Sequence, residues 1–229
     1  MEFLYETHMH SSEVSACATK TAVWQVHSFK EKGYTGVIFT DHFINGYTRC
    51  PNYLPWDEKM RFTVQGYEKA KIEGDKCGLD VFFGWEYTIR GSDFLTYGLD
   101  IDFLLAHPDL DRLSIEEYSA VVRQNGGFLA QAHPYKDDFY IDYKYPVDHR
   151  LIDAVEVYNS NIPDKTNKKA FIFARKYNLP MLAGTDCHGK PGQFNSGIKL
   201  AERANNIFDI IKAIKTHNVE LVLPEGWTV

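Results

Sequence analysis

Short β-type runs alternate with amphipathic helical stretches along the whole chain, and this alternation limits the possible folds more than any other feature. Strands are predicted at residues 1–5, 37–39, 79–85, 93–100, 128–132, 154–158, 180–184 and 219–223. Helices are predicted at residues 21–32, 62–77, 114–126, 164–177 and 205–216. A strand–helix period with seven or eight strands is typical of a single parallel α/β domain, so we expect a barrel or distorted barrel over residues 1–229.

Composition narrows the class of protein and its partners. The 229 residues are 44% hydrophobic and 24% charged, as in ordinary globular proteins. The net charge is −6 without any basic block, which argues against a duplex nucleic-acid partner. No apolar run approaches the roughly 20 residues that span a bilayer, so no membrane partner is expected. The four cysteines form no C-x-x-C pair and no signal-peptide pattern is present, so we expect a cytoplasmic protein with free thiols.

Two long aromatic segments interrupt the alternation. Residues 43–61 and 135–150 each follow a predicted strand end directly. Long loops at that end of a barrel commonly carry specificity, so both segments are candidate lids over an active site.

Imidazole and carboxylate side chains recur where predicted strands end, which is where the chemistry of a parallel barrel collects. These side chains are His8, His10, Asp41, His42, Glu86, His133, Asp186 and His188. Each short motif alone is a weak signal. Their occurrence at five strand ends predicts a metal centre.

The spacing of two of these motifs has a physical reason. On an extended chain residues i and i+2 point the same way, so His8 and His10 can reach one ion, and so can Asp186 and His188. Imidazole and carboxylate suit Zn²⁺, Mn²⁺ or Fe²⁺, and a set without thiolate favours a catalytic site over a structural one. There are more donors than one ion needs, so two or three divalent ions are expected, with Glu86 as the bridge.

The motifs "THMHS", "FTDH", "GWE", "QAHP" and "GTDCH" occur in an order that resembles the PHP (polymerase and histidinol phosphatase) family of metal-dependent phosphoesterases. The resemblance spans nearly the whole chain. It implies a distorted (β/α)7 barrel that binds up to three divalent ions. It also implies phosphoester hydrolysis in which a metal-activated water attacks phosphorus. The lack of a basic stripe favours a small phosphorylated substrate.

The resemblance assigns ligands by position in the motifs. The first ion would be held by His8, His10, Glu86 and Asp186. The second would be held by Glu86 and His133, and the third by His42 and His188. The predicted catalytic residues are Glu86, His42 and His188.

Several positions near the motifs remain open. Asp41 is either a supporting residue or a variable ligand. Glu13 could supply the further donor that some members carry after the first motif. No histidine closely follows Glu86, and His107 is the nearest candidate for a further ligand of the second ion.

The remaining candidates are weaker. Cys17 is expected to be a small packing residue, and Cys187 to point away from the donors. Lys136, Arg90 and Lys190 follow donor-bearing strand ends and could bind a phosphate or sugar.

Two alternative functions remain open. An amidohydrolase-type enzyme also begins with His-x-His, but it typically carries a metal-bridging lysine. A nuclease-like PHP module is the other alternative, and the lack of a basic stripe favours small-molecule substrates over polymers.

Overall fold

The computed structural model describes residues 2–139, 141–142, 144–190 and 194–229. The strands in this part of the chain are β1 Phe3–Met9, β2 Gly36–Phe39, β3 Asp80–Ile89, β4 Ser92–Tyr97, β5 Phe128–Gln131, β6 Ala154–Asn159, β7 Met181–Gly184, β8 Gly197–Leu200 and β9 Glu220–Val222. The helices are α1 Ala22–Glu31, α2 Trp56–Cys77, α3 Ile101–Ala106, α4 Ile115–Gln124, α5 Asp164–Tyr177 and α6 Ile207–Lys215.

The strands form one sheet in the order β7-β6-β5-β4-β3-β2-β1-β8-β9. The end of β1 also bridges to the chain that follows β7, where Met9 pairs with Cys187 in parallel. The sheet therefore curls into a nearly closed barrel, and the predicted mixed α/β, barrel-like fold is confirmed.

The prediction of a purely parallel sheet is wrong in one place inside the barrel. β4 runs antiparallel to both β3 and β5. A tight turn at Arg90 and Gly91, both with positive φ, joins β3 to β4. A connection this short can join only antiparallel neighbours. The short strands β8 and β9 are also antiparallel and extend the sheet beyond β1.

Some element boundaries differ from the predicted ones. β1 extends to Met9 and β3 to Ile89, so His8 and Glu86 lie within strands rather than after them. α2 begins at Trp56, which shortens the predicted loop 43–61 to residues 43–55. Acidic residues in the first turn of α2 favour this earlier start because they complement the positive end of the helix. Positions 140 and 143 of the second predicted loop lie outside the described residues.

Apolar packing surrounds the sheet and leaves polar groups at one end of the barrel. α6 packs its isoleucines Ile210, Ile211 and Ile214 against barrel residues that include Tyr5 and Leu182. The sequence analysis did not predict α3, which has 6 residues, or β8, which has 4 residues. Segments this short carry too little periodicity to be recognised. Within the described ranges, no helix combines the length and apolarity needed to cross a bilayer.

Candidate metal centre

The first donors come from β1 and the residue that follows it. His8 and His10 point to the same side, and their Nε2 atoms lie 3.2 Å apart. Met9 points to the opposite side and packs with Val26 and Phe39 under α1. Side chains alternate along an extended chain, so this segment has one polar face with both histidines and one apolar face with Met9. The spacing of the two histidines predicted their common direction.

Glu86 lies at the centre of the donor cluster and is almost fully buried. Its Oε1 lies 3.2 Å from His8 Nε2 and 3.3 Å from His133 Nε2. Its Oε2 lies 2.9 Å from His42 Nδ1 and 3.4 Å from His10 Nε2. Yet Glu86 Oε1 and His42 Nδ1 are buried without an aligned hydrogen-bond partner. This arrangement suits ligands of common ions, because atoms bound about 2.0–2.3 Å from one Zn²⁺ lie roughly 3.0–3.7 Å apart.

Asp186, in the segment that follows β7, completes the cluster beside β1. Its Oδ1 lies 3.4 Å from His8 Nε2, 3.1 Å from His10 Nε2 and 3.5 Å from His188 Nδ1. The intervening Cys187 points away, and its thiol donates to Gln25 Oε1 over 3.4 Å. The structure thus brings the β1 and β7 motifs to one point.

Four overlapping groups of donors could each hold a cation. The ligand atoms within each group lie within 4.8 Å of one another. The groups are His8, His10 and Glu86; His8, His133 and Asp186; Glu86, Asp93 and His133; and His10, His42 and His188. All seven predicted donors belong to at least one group, and Asp93 is an additional member.

Asp93 was missed in the sequence, where a histidine was sought in its place. It is buried on β4, and its Oδ2 lies 3.7 Å from His133 Nε2. The alternative candidate, His107, instead places its Nδ1 2.7 Å from the Phe103 carbonyl oxygen and packs its ring on Phe103. A carboxylate in the strand-like run after Glu86 was the signal that could have identified Asp93.

Asp41 and Glu13 do not join the donor groups. Asp41 is buried and accepts hydrogen bonds from the Ser11 amide and hydroxyl, both over 2.6 Å. Glu13 faces the other way: it accepts from the Ala22 amide over 2.9 Å and lies 3.7 Å from Lys69 Nζ. Asp41 therefore influences the site only through neighbouring residues. Glu13 accepts a hydrogen bond from the first residue of α1.

Ser15 fixes the orientation of the His10 imidazole. Its hydroxyl donates to Asp41 Oδ1 over 2.7 Å and accepts from the His42 amide over 3.0 Å. Because the single hydroxyl proton is directed at Asp41, the contact of 3.1 Å with His10 Nδ1 requires His10 to be the donor. His10 Nε2 is then left unprotonated and directed at the cluster.

Glu156 plays the same part for His8 and was not foreseen from the sequence. Its Oε1 lies 2.9 Å from His8 Nδ1, and its Oε2 accepts from the His133 amide and from Asn159 Nδ2, each over 2.9 Å. A carboxylate behind a metal-binding imidazole fixes its tautomer and raises its basicity. An acidic residue in the otherwise buried strand "AVEVY" was the available signal.

The surroundings shift the pKa values of two imidazoles in this cluster in opposite directions. Burial disfavours the charged form of His8, but the carboxylates of Asp186 and Glu156 outweigh it and raise its pKa well above the usual range. For His10, burial and the neighbouring His188 act together and lower its pKa to about 3. His10 is thus neutral at physiological pH, and the hydrogen bond to Ser15 places its single ring proton on Nδ1.

The pKa values of Glu86 and Asp186 are lowered, so these two buried carboxylates stay ionised. Burial alone would raise the pKa of Glu86, but His8 and His42 lower it well below the usual value. The pKa of Asp186 is likewise lowered by His8 and by its hydrogen bond with His10, against the effect of burial. Negative charge is therefore maintained where a cation would sit.

Two donors have strained backbones. The φ values of His133 and Asp186 are 26° and 51°. For a residue other than glycine, a backbone in this region costs on the order of 1–3 kcal/mol. The His133 conformation is held by a hydrogen bond from its backbone amide to Glu156. The Asp186 carbonyl oxygen accepts a hydrogen bond from the Asn161 side chain. Strain of this kind concentrates at functional sites.

A cavity of about 600 Å³ opens beside Asp186 and His188. The lysines in its lining are Lys136, Lys165, Lys169 and Lys190. Of the basic residues considered from the sequence, Lys136 and Lys190 line this cavity, and Arg90 is not among the described residues that do. Residues 135–138, the start of the second predicted loop, also line it.

One family model matches the carboxyl-terminal part of the sequence. Residues 164–192, which include α5, β7 and the Asp186–His188 motif, match the PHP-associated model. No curated protein matches the chain.

Solved structures resemble the entire barrel. A two-domain protein of Bacteroides vulgatus, which contains a predicted PHP-like metal-dependent phosphoesterase, superposes with a TM-score of 0.73 at 16% identity. The chain has a PHP-like fold. The resemblance predicted from its motifs is thereby confirmed. The match covers 96% of this chain but only 64% of the Bacteroides chain, so this PHP-like chain spans less than two thirds of that protein.

Two further structures match the PHP-like fold over nearly their full lengths. A proposed metal-dependent phosphoesterase of Bifidobacterium adolescentis has a TM-score of 0.57 at 16% identity, covering 94% of this chain and 96% of that one. An amidohydrolase of Chromobacterium violaceum, with bound sulfate and no metal, has a TM-score of 0.59 at 13% identity, covering 96% and 98%.

Proposed function

We propose that this PHP-like chain is a metal-dependent hydrolase that cleaves phosphoesters of small molecules. One observation carries the proposal: the buried Glu86 has four imidazole nitrogens within 3.4 Å of its two oxygens, and its Oε1 has no hydrogen-bond partner. A buried carboxylate oxygen without a partner is costly unless a cation satisfies it.

The donor sets fit two or three divalent ions of the Zn²⁺, Mn²⁺ or Fe²⁺ type. The first ion would be held by His8, His10, Glu86 and Asp186. The second would be held by Glu86, Asp93 and His133, and the third by His42 and His188. Glu86 belongs to two of these sets and would be shared between them.

Ions bound there would offset phosphate charge and lower the pKa of an attacking water. The protein contributes positioning: Ser15 and Glu156 hold His10 and His8 with their Nε2 atoms towards the cluster. The lysines of the cavity favour an anionic substrate, and a volume of about 600 Å³ suits a small molecule.

An amidohydrolase activity is the second candidate, favoured by the likeness to the Chromobacterium protein. Against it, the residue shared by two of the donor groups is the carboxylate Glu86, whereas an amidohydrolase-type enzyme typically carries a metal-bridging lysine. Both activities would use the same metal centre, so substrate screening separates them.

The test joins metal analysis of the purified protein to a screen of phosphomonoesters, phosphodiesters, amides and carboxylic esters with added Mn²⁺ or Zn²⁺. We expect bound metal, phosphoester turnover and its loss in Glu86→Gln and His8→Ala. Glu202→Gln, at an exposed carboxylate, is the matched control and should retain activity. Full activity in Glu86→Gln, or turnover of amides alone, would overturn the proposal.

A further inference from the structure

Asn159, the last residue of β6, is fully buried next to the donor cluster. It stands three positions after Glu156, so strict alternation along a strand would put the two side chains on opposite faces of the sheet. The register of β6 against β7 shifts between Glu156 and Tyr158. An irregularity of this kind redirects the side chains that follow it, and here it leaves Asn159 in contact with Glu156.

The Asn159 amide contacts two carboxylates at once, one of them a predicted metal ligand. Its Nδ2 donates to Asp186 Oδ2 over 3.3 Å and to Glu156 Oε2 over 2.9 Å. Its Oδ1 accepts from the Asn161 backbone amide over 2.9 Å, and because that amide can only donate, the Asn159 side chain cannot be turned round. Both hydrogens on Nδ2 are therefore directed at carboxylate oxygens.

The backbone of Asn159 is fixed from outside the cluster. Its amide donates to Asn167 Oδ1 over 3.2 Å, and its carbonyl oxygen accepts from Asn167 Nδ2 over 3.1 Å. Asn167 lies on α5 and is itself buried. Asn159 therefore has little freedom to follow Asp186, and the Asp186 carboxylate must adapt to it.

The contact with Asn159 gives the two oxygens of Asp186 different partners. Oδ2 accepts from Asn159, whereas Oδ1 lies 3.1 Å from His10 Nε2 and 3.4 Å from His8 Nε2. A carboxylate can bind a cation through one oxygen or through both. Because Oδ2 is engaged by an amide hydrogen, Oδ1 is the oxygen left for an ion.

We propose that Asn159 is a positioning residue that restricts Asp186 to binding metal through Oδ1 alone. This inference rests on the proposed function, because it assumes that the cluster binds metal. The same amide holds Glu156, which contacts His8, so Asn159 also couples the orientations of two predicted ligands. Without the amide hydrogens, Oδ2 would be free to approach the same ion and change the number of ligand atoms around it.

Zinc affinity tests the proposal without any substrate. The change Asn159→Ala should weaken Zn²⁺ binding about 10–100-fold, as the loss of a group that orients a metal ligand commonly does. Ser119→Ala is the control, because it removes another buried hydrogen bond, from Ser119 Oγ to the Leu151 carbonyl oxygen, on a helix that carries no donor. It should bind Zn²⁺ as the wild-type chain does.

Cobalt absorption is a readout that a loss of stability alone would not change. The visible Co²⁺ bands weaken as the number of ligand atoms rises, so metal-free protein is titrated to one equivalent of Co²⁺. We expect weaker bands in Asn159→Ala, because Asp186 can then use both oxygens, and wild-type bands in Ser119→Ala. Should Asn159→Ala fail to fold, Asn159→Ser fills more of the space, and its bands should also weaken because one hydroxyl hydrogen cannot serve both carboxylates.

A double-mutant cycle separates the two carboxylates that the Asn159 amide contacts. In an Asp186→Ala background, Asn159→Ala should cause a much smaller further loss of Zn²⁺ affinity, because Glu156 is then the remaining partner of the amide. Wild-type affinity and bands in Asn159→Ala, or an undiminished loss in the Asp186→Ala background, would overturn the role of Asn159 and leave the metal centre intact. A wild-type chain that binds neither Zn²⁺ nor Co²⁺ would overturn the proposed function and this inference with it.

Discussion

Individual carboxylates in this cluster have two separate tasks. Glu86, Asp93 and Asp186 face the imidazole nitrogens directly. Glu156 and Asp41 lie behind the donors and fix their orientation, either by direct contact or through a serine hydroxyl. Substitutions at the two kinds of position should therefore have different effects.

The change Glu156→Gln should weaken metal binding about 10–100-fold, as the loss of a partner behind a metal ligand commonly does. The amide keeps the size of the side chain but removes the charge that makes His8 basic. Equilibrium dialysis with Zn²⁺ measures the effect, with Glu202→Gln as the control. Unchanged affinity would show that Glu156 does not tune His8.

The change Asp93→Asn should lower the number of tightly bound ions by one, because Asp93 and Glu86 supply the carboxylates around His133. Metal content after gel filtration, measured by atomic spectroscopy, is the readout. His107→Ala is the contrasting variant and should keep the wild-type content, since His107 packs on Phe103 away from the cluster. The reverse result would restore His107 as the ligand.

At the scale of elements, the β3–β4 hairpin and α2 place the site. Pairing of Glu86 with Leu95 and of Thr88 with Asp93 fixes the register that brings both carboxylates to His133. α2 passes so close to Asp41 and Ser11 that only a glycine fits at position 66. An added Cβ there would lie 2.5 Å from Asp41 Oδ2 and closer still to Ser11 Oγ.

The change Gly66→Ala should destabilise the protein by about 1 kcal/mol, although alanine is the better helix former. Helix propensity favours alanine by about 1 kcal/mol, but overpacking a buried contact costs about 1–3 kcal/mol. Urea unfolding measures the change, and the displaced Asp41 should also weaken metal binding. Glu68→Ala, exposed on the same helix, is the control; a more stable Gly66→Ala protein with normal metal affinity would contradict this account.

At the scale of the whole molecule, barrel closure brings oppositely charged groups together in one buried cluster, where each stabilises the charge of the other. In the metal-free protein the raised pKa of His8 contributes stability below its unfolded pKa of about 6.5, which is lost as the pH rises through the folded pKa. The lowered pKa of Glu86 contributes stability above its unfolded pKa of about 4.3, which is lost as the pH falls. The metal-free barrel should be most stable between these limits.

Metal affinity should rise with pH, by at most about tenfold per pH unit for each proton released. Glu156 holds the Nδ1 proton of His8, so the proton that must leave is the one on Nε2, at the metal-binding atom. Calorimetric titration with Zn²⁺ in buffers of different ionisation enthalpy measures this release. Affinity that is independent of pH, with no proton released, would contradict the assignment of His8.

Removal of the ions by a chelator should lower the melting temperature by roughly 5–11 °C. Ligand at 100 times its Kd stabilises by about 2.7 kcal/mol, and 1 kcal/mol corresponds to about 2–4 °C for a chain of this size. Differential scanning calorimetry with and without chelator measures the shift. The same comparison on His8→Ala, which should show little shift, excludes an effect of the chelator itself.

Local patterns in the sequence determined most of the elements and most of the donors. The alternation of strands and helices gave the barrel, and the i, i+2 spacing of His8 and His10 gave their common direction, because both depend on neighbouring residues alone. Seven donors at the predicted strand ends do lie together, although their role as ligands stays a prediction.

Only the tertiary structure decided which distant residues meet. The antiparallel placement of β4 brought Asp93 to His133, and the position of β6 in the closed sheet brought Glu156 behind His8. The physical reason is that pairing between strands is set by the closure of the whole sheet. The periodicity of a single segment carries no information about which strand becomes its neighbour.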